Sequence, residues 1–139
     1  MKFGKFGDRP RERPIFKGFA FLSPGSAHGN IASSLANAGN VAIPFMVLGE
    51  LYYGAAHSDD PKHGKSIVDR FSQILPIVNS TPEIMERFGI EKARLASAGT
   101  SVEDADVLIA ATALTGRCQI ATGNIRHFNR FDGLEVLVW

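Results

Sequence analysis

The sequence predicts an α/β domain of three layers (α/β/α), in which helices cover both faces of a central, mostly parallel sheet. Short apolar runs alternate with longer, helix-like segments along most of the chain, as they do when each strand of a parallel sheet is followed by a helix. The length of 139 residues fits one domain. The composition, 45% hydrophobic and 21% charged, is typical of a globular protein with its own core.

The individual elements are bounded by prolines, glycines and capping residues. Residues 15–22 are apolar and aromatic and could form a strand or begin a helix. Apolar runs bounded by turn residues predict further strands at 41–44, 77–78, 118–122 and 134–139. Apolar periodicity predicts helices at 28–38, 45–56, 60–74, 82–98 and 103–115.

Two of these helices have specific sequence signals. Ile67, Phe71 and Ile74 form one apolar stripe in the segment 60–74. Thr81 can cap the helix that begins at Pro82, and a glycine at position 99 ends that helix. These signals predict which face of each helix packs against the core.

Charge is unevenly distributed along the chain. Six basic and two acidic residues in the first 17 positions give +4, so the rest of the chain carries −3 of the overall +1. Residues 1–14 have no helical or strand period, and we expect an atypical basic, flexible segment outside the core domain 15–139. This basic segment could also contact RNA phosphates.

The composition also bears on the cellular compartment. The single cysteine, Cys118, excludes an internal disulfide and suits a reducing environment. No apolar run reaches the roughly 20 residues of a membrane span, and the N-terminus lacks the apolar region of a signal peptide. We therefore expect a cytoplasmic protein that is not membrane-bound.

Candidate site residues follow the predicted strands, because sites in parallel sheets lie beyond the carboxyl ends of the strands. Glu50 comes shortly after strand 41–44, Asp106 opens the helix 103–115, and Asn124 follows strand 118–122, two residues after Thr122. A surface position is an equal alternative for Glu50. Acids in a first helical turn also complement the helix dipole, and this alternative is stronger for Glu103 and Asp104 than for Asp106.

Converging carboxylates repel each other and favour a divalent cation. All-oxygen ligands suit Mg²⁺ or Mn²⁺, and such a site can activate water and stabilise a phosphodiester during displacement. The residues alone thus support a weak hypothesis of metal-dependent phosphodiester chemistry.

Three segments resemble the PIN-domain family, in particular its VapC-type toxins. These segments are VAIPFMVLGELYYGA, GTSVEDADVLIAATAL and IATGNIRHFNRFDGLEVLVW, and they occur in the family's order. The resemblance extends from about residue 28 to the C-terminus. It implies an α/β/α fold and a Mg²⁺- or Mn²⁺-dependent endoribonuclease of a type II toxin–antitoxin module. It also implies an RNA substrate, a cognate antitoxin that blocks the site, and commonly a homodimer.

The resemblance assigns roles to individual residues. Glu50 and Asp106 match the family's second and third acids and would bind metal. Asn124 matches a fourth position and could hold metal-bound water, while the hydroxyl of Thr122 would orient the site. Asp104 is a weaker candidate for an auxiliary ligand.

The family's first acid is missing from this sequence. The family's spacing places that acid, at the end of its first strand, near Pro14 to Phe16, where the sequence reads RPIFKGFAF. We therefore expect weaker metal binding and impaired nuclease activity. The alternatives are a catalytically inactive PIN domain that binds an antitoxin, and an RNA-binding module that uses the basic segment.

Histidines, tyrosines and arginines near these motifs have alternative roles. His57 and His63 are expected on the surface, while His127 is expected to be structural or at the rim of the site, next to a core residue, Phe128. One of Tyr52 and Tyr53 is expected to pack inward, and the other could lie at an interface with a second protein. Arg126 and Arg130 could contact phosphates or could simply be solvated.

Overall fold

The structure is a computed structural model that describes residues 15–17, 41–122 and 125–138. The strands are β1 (Ile15–Lys17), β2 (Val41–Pro44), β3 (Ile77–Val78), β4 (Gln119–Thr122) and β5 (Val136–Val138). The helices are α1 (Phe45–Ala56), α2 (Pro61–Ile74), α3 (Pro82–Ser97), α4 (Asp104–Gly116) and α5 (Ile125–Phe128). The predicted helix 28–38 and the segment 1–14 lie outside the described residues.

The five strands form one sheet in the order β3-β2-β1-β4-β5, and the pairings between them are parallel. The central strand is β1, in which Phe16 is in register with both Ala42 of β2 and Ile120 of β4. The predicted α/β fold with a mostly parallel sheet is therefore confirmed. Of the two alternatives for the segment 15–22, residues 15–17 adopt the strand.

Helix α4 supplies the most deeply buried helical surface in the described part of the chain. Ile109, Ala110 and Ala113 are fully buried, together with Val107. Burying an isoleucine or valine side chain stabilises the fold by about 1.5–3 kcal/mol. The small alanine side chains allow α4 to approach α3 and the sheet closely. Because α4 is buried on several sides, its sequence is apolar nearly all round.

The predicted start and end of α3 are confirmed in detail. The Oγ1 atom of Thr81 accepts a hydrogen bond from the backbone N–H of Ile84 at 3.3 Å, and Pro82 occupies the first turn. At the other end, Gly99 has φ +69°, a conformation that favours glycine and turns the chain out of the helix.

The apolar stripe predicted for α2 is partly wrong. Ile67 and Phe71 are half-buried as expected, but Ile74 is 71% exposed. The chain leaves the helix at Leu75, whose extended backbone carries its own side chain into the core in place of Ile74. The deeply buried residue of this helix is Val68.

The C-terminal part of the chain closes the core. Cys118 is buried immediately before β4, and its backbone N–H donates to the carbonyl of Ala113 at 2.8 Å. Phe128 is buried as predicted and packs near Phe131, with 6.5 Å between ring centroids. In the part of the chain that the structure describes, no helix combines the length and apolar character needed to traverse a lipid bilayer.

Candidate metal centre

Glu50 lies in the middle of α1, the helix that follows β2. Its Oε2 atom is buried and has no hydrogen-bond partner among the described residues. Burial, followed by the negative charges of Asp106 and then Glu103, raises the pKa of Glu50 from 4.5 to about 7. A buried carboxylate oxygen without a hydrogen-bond partner is costly, and a bound cation would satisfy it.

Asp106 lies in the first turn of α4 and is only 9% exposed. Its Oδ2 atom is 2.7 Å from Nδ1 of His127. Because a carboxylate only accepts hydrogen bonds, the shared hydrogen is on Nδ1 of the imidazole. The sequence pattern predicts that His127 is structural or at the rim of the site, but it does not predict this contact with Asp106.

The two acids singled out in the sequence belong to one electrostatic environment. Asp106 acts on Glu50 strongly enough to help raise its pKa, although the two residues are far apart in sequence. The described residues contain no group of three or more His, Cys, Asp or Glu side chains that could hold a metal. Among them, the site therefore provides two carboxylates with one histidine at its side.

Thr122, the residue expected to orient the site, lies at the end of β4. Thr122 is the last residue of the strand and is fully buried. Asn124, the predicted neutral ligand, lies outside the described residues. Thr122 thus stands at the carboxyl end of a strand, as predicted, next to the central strand of the sheet.

The two other acids near the start of α4 differ from Asp106. Asp104 is largely exposed and forms an ion pair with Lys92 of α3 at 2.8 Å. This contact favours a surface role over that of an auxiliary metal ligand. Glu103 is exposed as well and influences Glu50 only through its charge.

The central strand contains no acid. Residues 15–17 of β1 are Ile, Phe and Lys, and Lys17 is in register with Ala121, one residue before the end of β4. The expected place of the family's first acid is therefore occupied by a strand that ends in a lysine.

The tyrosines and arginines of the neighbouring elements have varied surroundings. Tyr52 is half-buried and donates a hydrogen bond to Oδ1 of Asp69 at 2.7 Å, whereas Tyr53 is exposed and stacks on His57. Arg130 donates to the carbonyl of Ser101 at 3.2 Å, and Arg126 is exposed. Tyr52 is therefore the inward-facing tyrosine, and Tyr53 is available for contacts with another molecule.

This donor set suits a hard divalent cation. Carboxylate oxygens are the ligands preferred by Mg²⁺ and Mn²⁺, and a cation would satisfy the unpartnered Oε2 of Glu50 and offset its repulsion by Asp106. The residues present therefore fit such an ion, although with little formal charge to hold it.

Comparison with known proteins gives a consistent family. A family model described as "PIN domain" matches residues 19–134. The chain is 31% identical over 103 residues to "Ribonuclease VapC2" of Haemophilus influenzae, which covers 74% of this chain and 78% of that protein. It is 30% identical, with the same coverage of 74% and 78%, to the "tRNA(fMet)-specific endonuclease VapC" of Salmonella typhimurium.

The fold is also similar to that of a solved structure. The crystal structure of VapBC2 from Rickettsia felis, bound to a DNA fragment from their promoter, superposes with a TM-score of 0.78. The match has 26% sequence identity and covers 90% of this chain and 98% of that chain.

Proposed function

Since this chain belongs to the PIN domain family and has VapC ribonucleases as homologues, we propose that it is a divalent-metal-dependent endoribonuclease of a type II toxin–antitoxin module. The observation that carries the proposal is the buried, unpartnered Oε2 of Glu50 in the field of Asp106. A divalent cation would stabilise such an atom by supplying the partner that the described residues do not provide.

Glu50 and Asp106 are the proposed metal-binding residues. The oxygens of both carboxylates would hold Mg²⁺ or Mn²⁺, and Asn124 would add a neutral ligand. When bound, such a cation stabilises the charge that develops on the scissile phosphate and lowers the pKa of water. Thr122 would orient the neighbouring backbone and ligands at the end of β4.

The activity is proposed to be weak compared with that of a site with a third carboxylate. Strand β1 ends in Lys17 rather than in an acid, so the described residues bring two formal negative charges to the cation. Two unit charges 4 Å apart interact by about 4 kcal/mol at an effective dielectric constant of 20, and a divalent cation interacts more strongly, so one missing carboxylate matters.

The proposed partners are an RNA substrate and an antitoxin, and the proposed assembly is a homodimer. The relatives' names support RNA as the substrate, with tRNA(fMet) as the substrate of the Salmonella protein. A VapBC complex with this fold supports an antitoxin partner. Exposed Tyr53 on α1 is a candidate contact residue for a protein partner.

RNA cleavage and Mn²⁺ titration together test this proposal. We expect the purified chain to cleave initiator tRNA slowly in the presence of Mn²⁺, and Glu50→Gln and Asp106→Asn to lose that cleavage by at least about 100-fold. Asp59→Asn, which changes an exposed acid between α1 and α2, is the matched control and should cleave like the wild type. Equal cleavage by all four proteins would show that the site lies elsewhere.

A second candidate function is favoured by the acid-free central strand. In it, the chain is a catalytically inactive PIN domain that acts by binding an antitoxin. Absence of cleavage and of Mn²⁺ binding by isothermal titration, together with a stable complex with a cognate antitoxin, would support this alternative. Salt-dependent RNA binding that is lost when residues 1–17 are deleted would instead indicate the RNA-binding module.

A further inference from the structure

His127 contacts Asp106, one of the two proposed metal-binding acids. Its Nδ1 donates to Oδ2 of Asp106 at 2.7 Å, and Asp106 has a largely buried side chain, while the imidazole is nearly half exposed. The contact joins α5 to the first turn of α4, across 21 positions of sequence. A hydrogen bond from a ring N–H to a carboxylate restricts the rotation of the carboxyl group.

We infer that His127 is a positioning residue, which fixes the carboxylate of Asp106 in the orientation that a divalent cation requires. This inference rests on the proposed function and adds a residue to it. The hydrogen bond engages Oδ2, so rotation of the carboxyl group about its χ2 angle is restrained. Partners of metal-binding carboxylates generally act in this way, and their loss weakens metal binding or activity by 10–100-fold, as an order of magnitude.

The surroundings of α5 hold the imidazole in place. Phe128, the next residue, is buried in the core and packs near Phe131, which anchors this short helix. Beyond α5, the carbonyl of Arg130 accepts a hydrogen bond from Nη2 of Arg94 at 2.8 Å, which ties the turn to α3. His127 therefore projects from a segment that is fixed on both its core and its outer side.

A neutral donor at the position of Nδ1 is sufficient for this role. The amide nitrogen of asparagine can occupy nearly the same place as Nδ1, because both are separated from Cβ by one atom. Alanine provides no donor. The inference therefore distinguishes His127→Asn from His127→Ala, whereas a role in chain packing alone would treat the two substitutions alike.

Mn²⁺ binding measured by isothermal titration provides the first test. We expect His127→Ala to weaken Mn²⁺ binding by roughly tenfold. His127→Asn should remain within about threefold of the wild type, and His63→Ala, which removes an exposed histidine of α2, should equal it. In cleavage assays at saturating RNA, kcat at a fixed, subsaturating Mn²⁺ concentration should fall with His127→Ala, and KM for RNA should not change.

A second readout is independent of metal. In long-range proton–nitrogen spectra of the metal-free protein, the His127 ring should carry a hydrogen on Nδ1, and the Nδ1 signal should shift in Asp106→Asn. A neutral ring with an unprotonated Nδ1 would overturn the inference, as would wild-type Mn²⁺ affinity in His127→Ala.

If the wild type neither binds Mn²⁺ nor cleaves RNA, the proposed function fails and the inference fails with it. If the wild type binds Mn²⁺ and His127→Ala binds it with the same affinity, the proposed function stands and the positioning role of His127 is wrong.

Discussion

Glu50 has a different effect on stability in the metal-free and the metal-bound protein. Its ordinary pKa of 4.5 is raised to about 7 in the fold by burial and by the charges of Asp106 and Glu103. The folded protein therefore holds the proton more tightly than the unfolded chain does, so deprotonation costs folding free energy. That unfavourable contribution is absent below pH 4.5, grows as the pH rises towards 7, and stays constant above it.

Substitution of this residue should reveal that pH dependence. In the presence of a chelator, Glu50→Gln should be more stable than the wild type at pH 8, and the difference should shrink to near zero at pH 4.5, because the amide does not ionise. Urea unfolding across this pH range measures the difference. Addition of Mn²⁺ should reverse its sign at pH 8. A pH-independent difference in the chelated proteins would contradict the assigned environment of Glu50.

The contact of Tyr52 with Asp69 gives a second residue-scale prediction. The hydrogen bonds from Lys65 and Tyr52 to Asp69 lower the pKa of this exposed carboxyl group. Tyr52→Phe should therefore lower the free energy of unfolding at neutral pH, because the hydrogen bond to Asp69 is lost. The loss should diminish in acid, as the pH falls through the lowered pKa of Asp69. Tyr53→Phe, at the exposed neighbouring position, is the control and should leave stability unchanged.

At the scale of elements, the cap of α3 makes a measurable contribution. Loss of the Thr81 hydroxyl leaves the N–H of Ile84 without its side-chain acceptor. Thr81→Ala should therefore lower the free energy of unfolding by about 1 kcal/mol. Thr81→Ser keeps the hydroxyl and should cost only a small part of that amount. Chemical denaturation distinguishes the two variants, and an equal loss in both would mean that the methyl group, not the cap, is responsible.

A buried charge cluster joins α3 to the turn after α5. Glu91 is 3% exposed and accepts hydrogen bonds from Arg87 at 2.9 Å and Arg94 at 3.0 Å, and Arg94 in turn pairs with Asp132 at 3.5 Å. Its buried carboxylate thus pairs with two partly exposed arginines.

Removal of Glu91 should destabilise the protein strongly. Glu91→Ala leaves two arginines without their shared partner, and we expect a loss of about 2 kcal/mol in the free energy of unfolding, somewhat less than for fully buried pairs because both arginines are partly exposed. Glu86→Ala changes an exposed acid of the same helix and should cost far less. Similar losses in both variants would show that the cluster adds no stability.

The local elements could be predicted from sequence, and the cross-chain contacts could not. The strand 41–44, the apolar helix α4 and the cap at Thr81 depend on neighbouring residues, so periodicity and capping signals reveal them. The contacts of His127 with Asp106 and of Arg94 with Arg130 join residues that are distant in sequence. No local pattern encodes such contacts. Ile74 was misassigned for a related reason, since the path of the chain after α2 decides whether it or Leu75 is buried.

At the scale of the whole molecule, the sheet order explains why the missing acid matters. β1 lies between β2, which leads to the helix of Glu50, and β4, which ends at Thr122. Carboxyl ends of parallel strands meet at one edge, so an acid at the end of β1 would be central to the site. The sequence predicted this place as Pro14 to Phe16, and β1 ends one residue later, at Lys17.

Restoring an acid at this strand end tests the architecture of the whole site. Lys17→Asp should strengthen Mn²⁺ binding by at least about tenfold, since it replaces a positive charge with a negative one in the central strand. Lys17→Ala removes only the positive charge and should have a smaller effect. Isothermal titration of both variants with Mn²⁺ separates the two contributions. No gain in either variant would show that the strand end does not reach the metal.

The reactivity of Cys118 towards thiol reagents can report local opening of this sheet. Cys118 is the single sulfhydryl of the chain, and it is buried where α4 passes into β4. A thiol reagent can therefore reach it only when this junction opens. The rate of modification under native conditions thus reports how often the junction is open. The same junction leads into the strand that ends at Thr122. Slower modification of Cys118 in the presence of Mn²⁺ would therefore show that metal binding stabilises this junction.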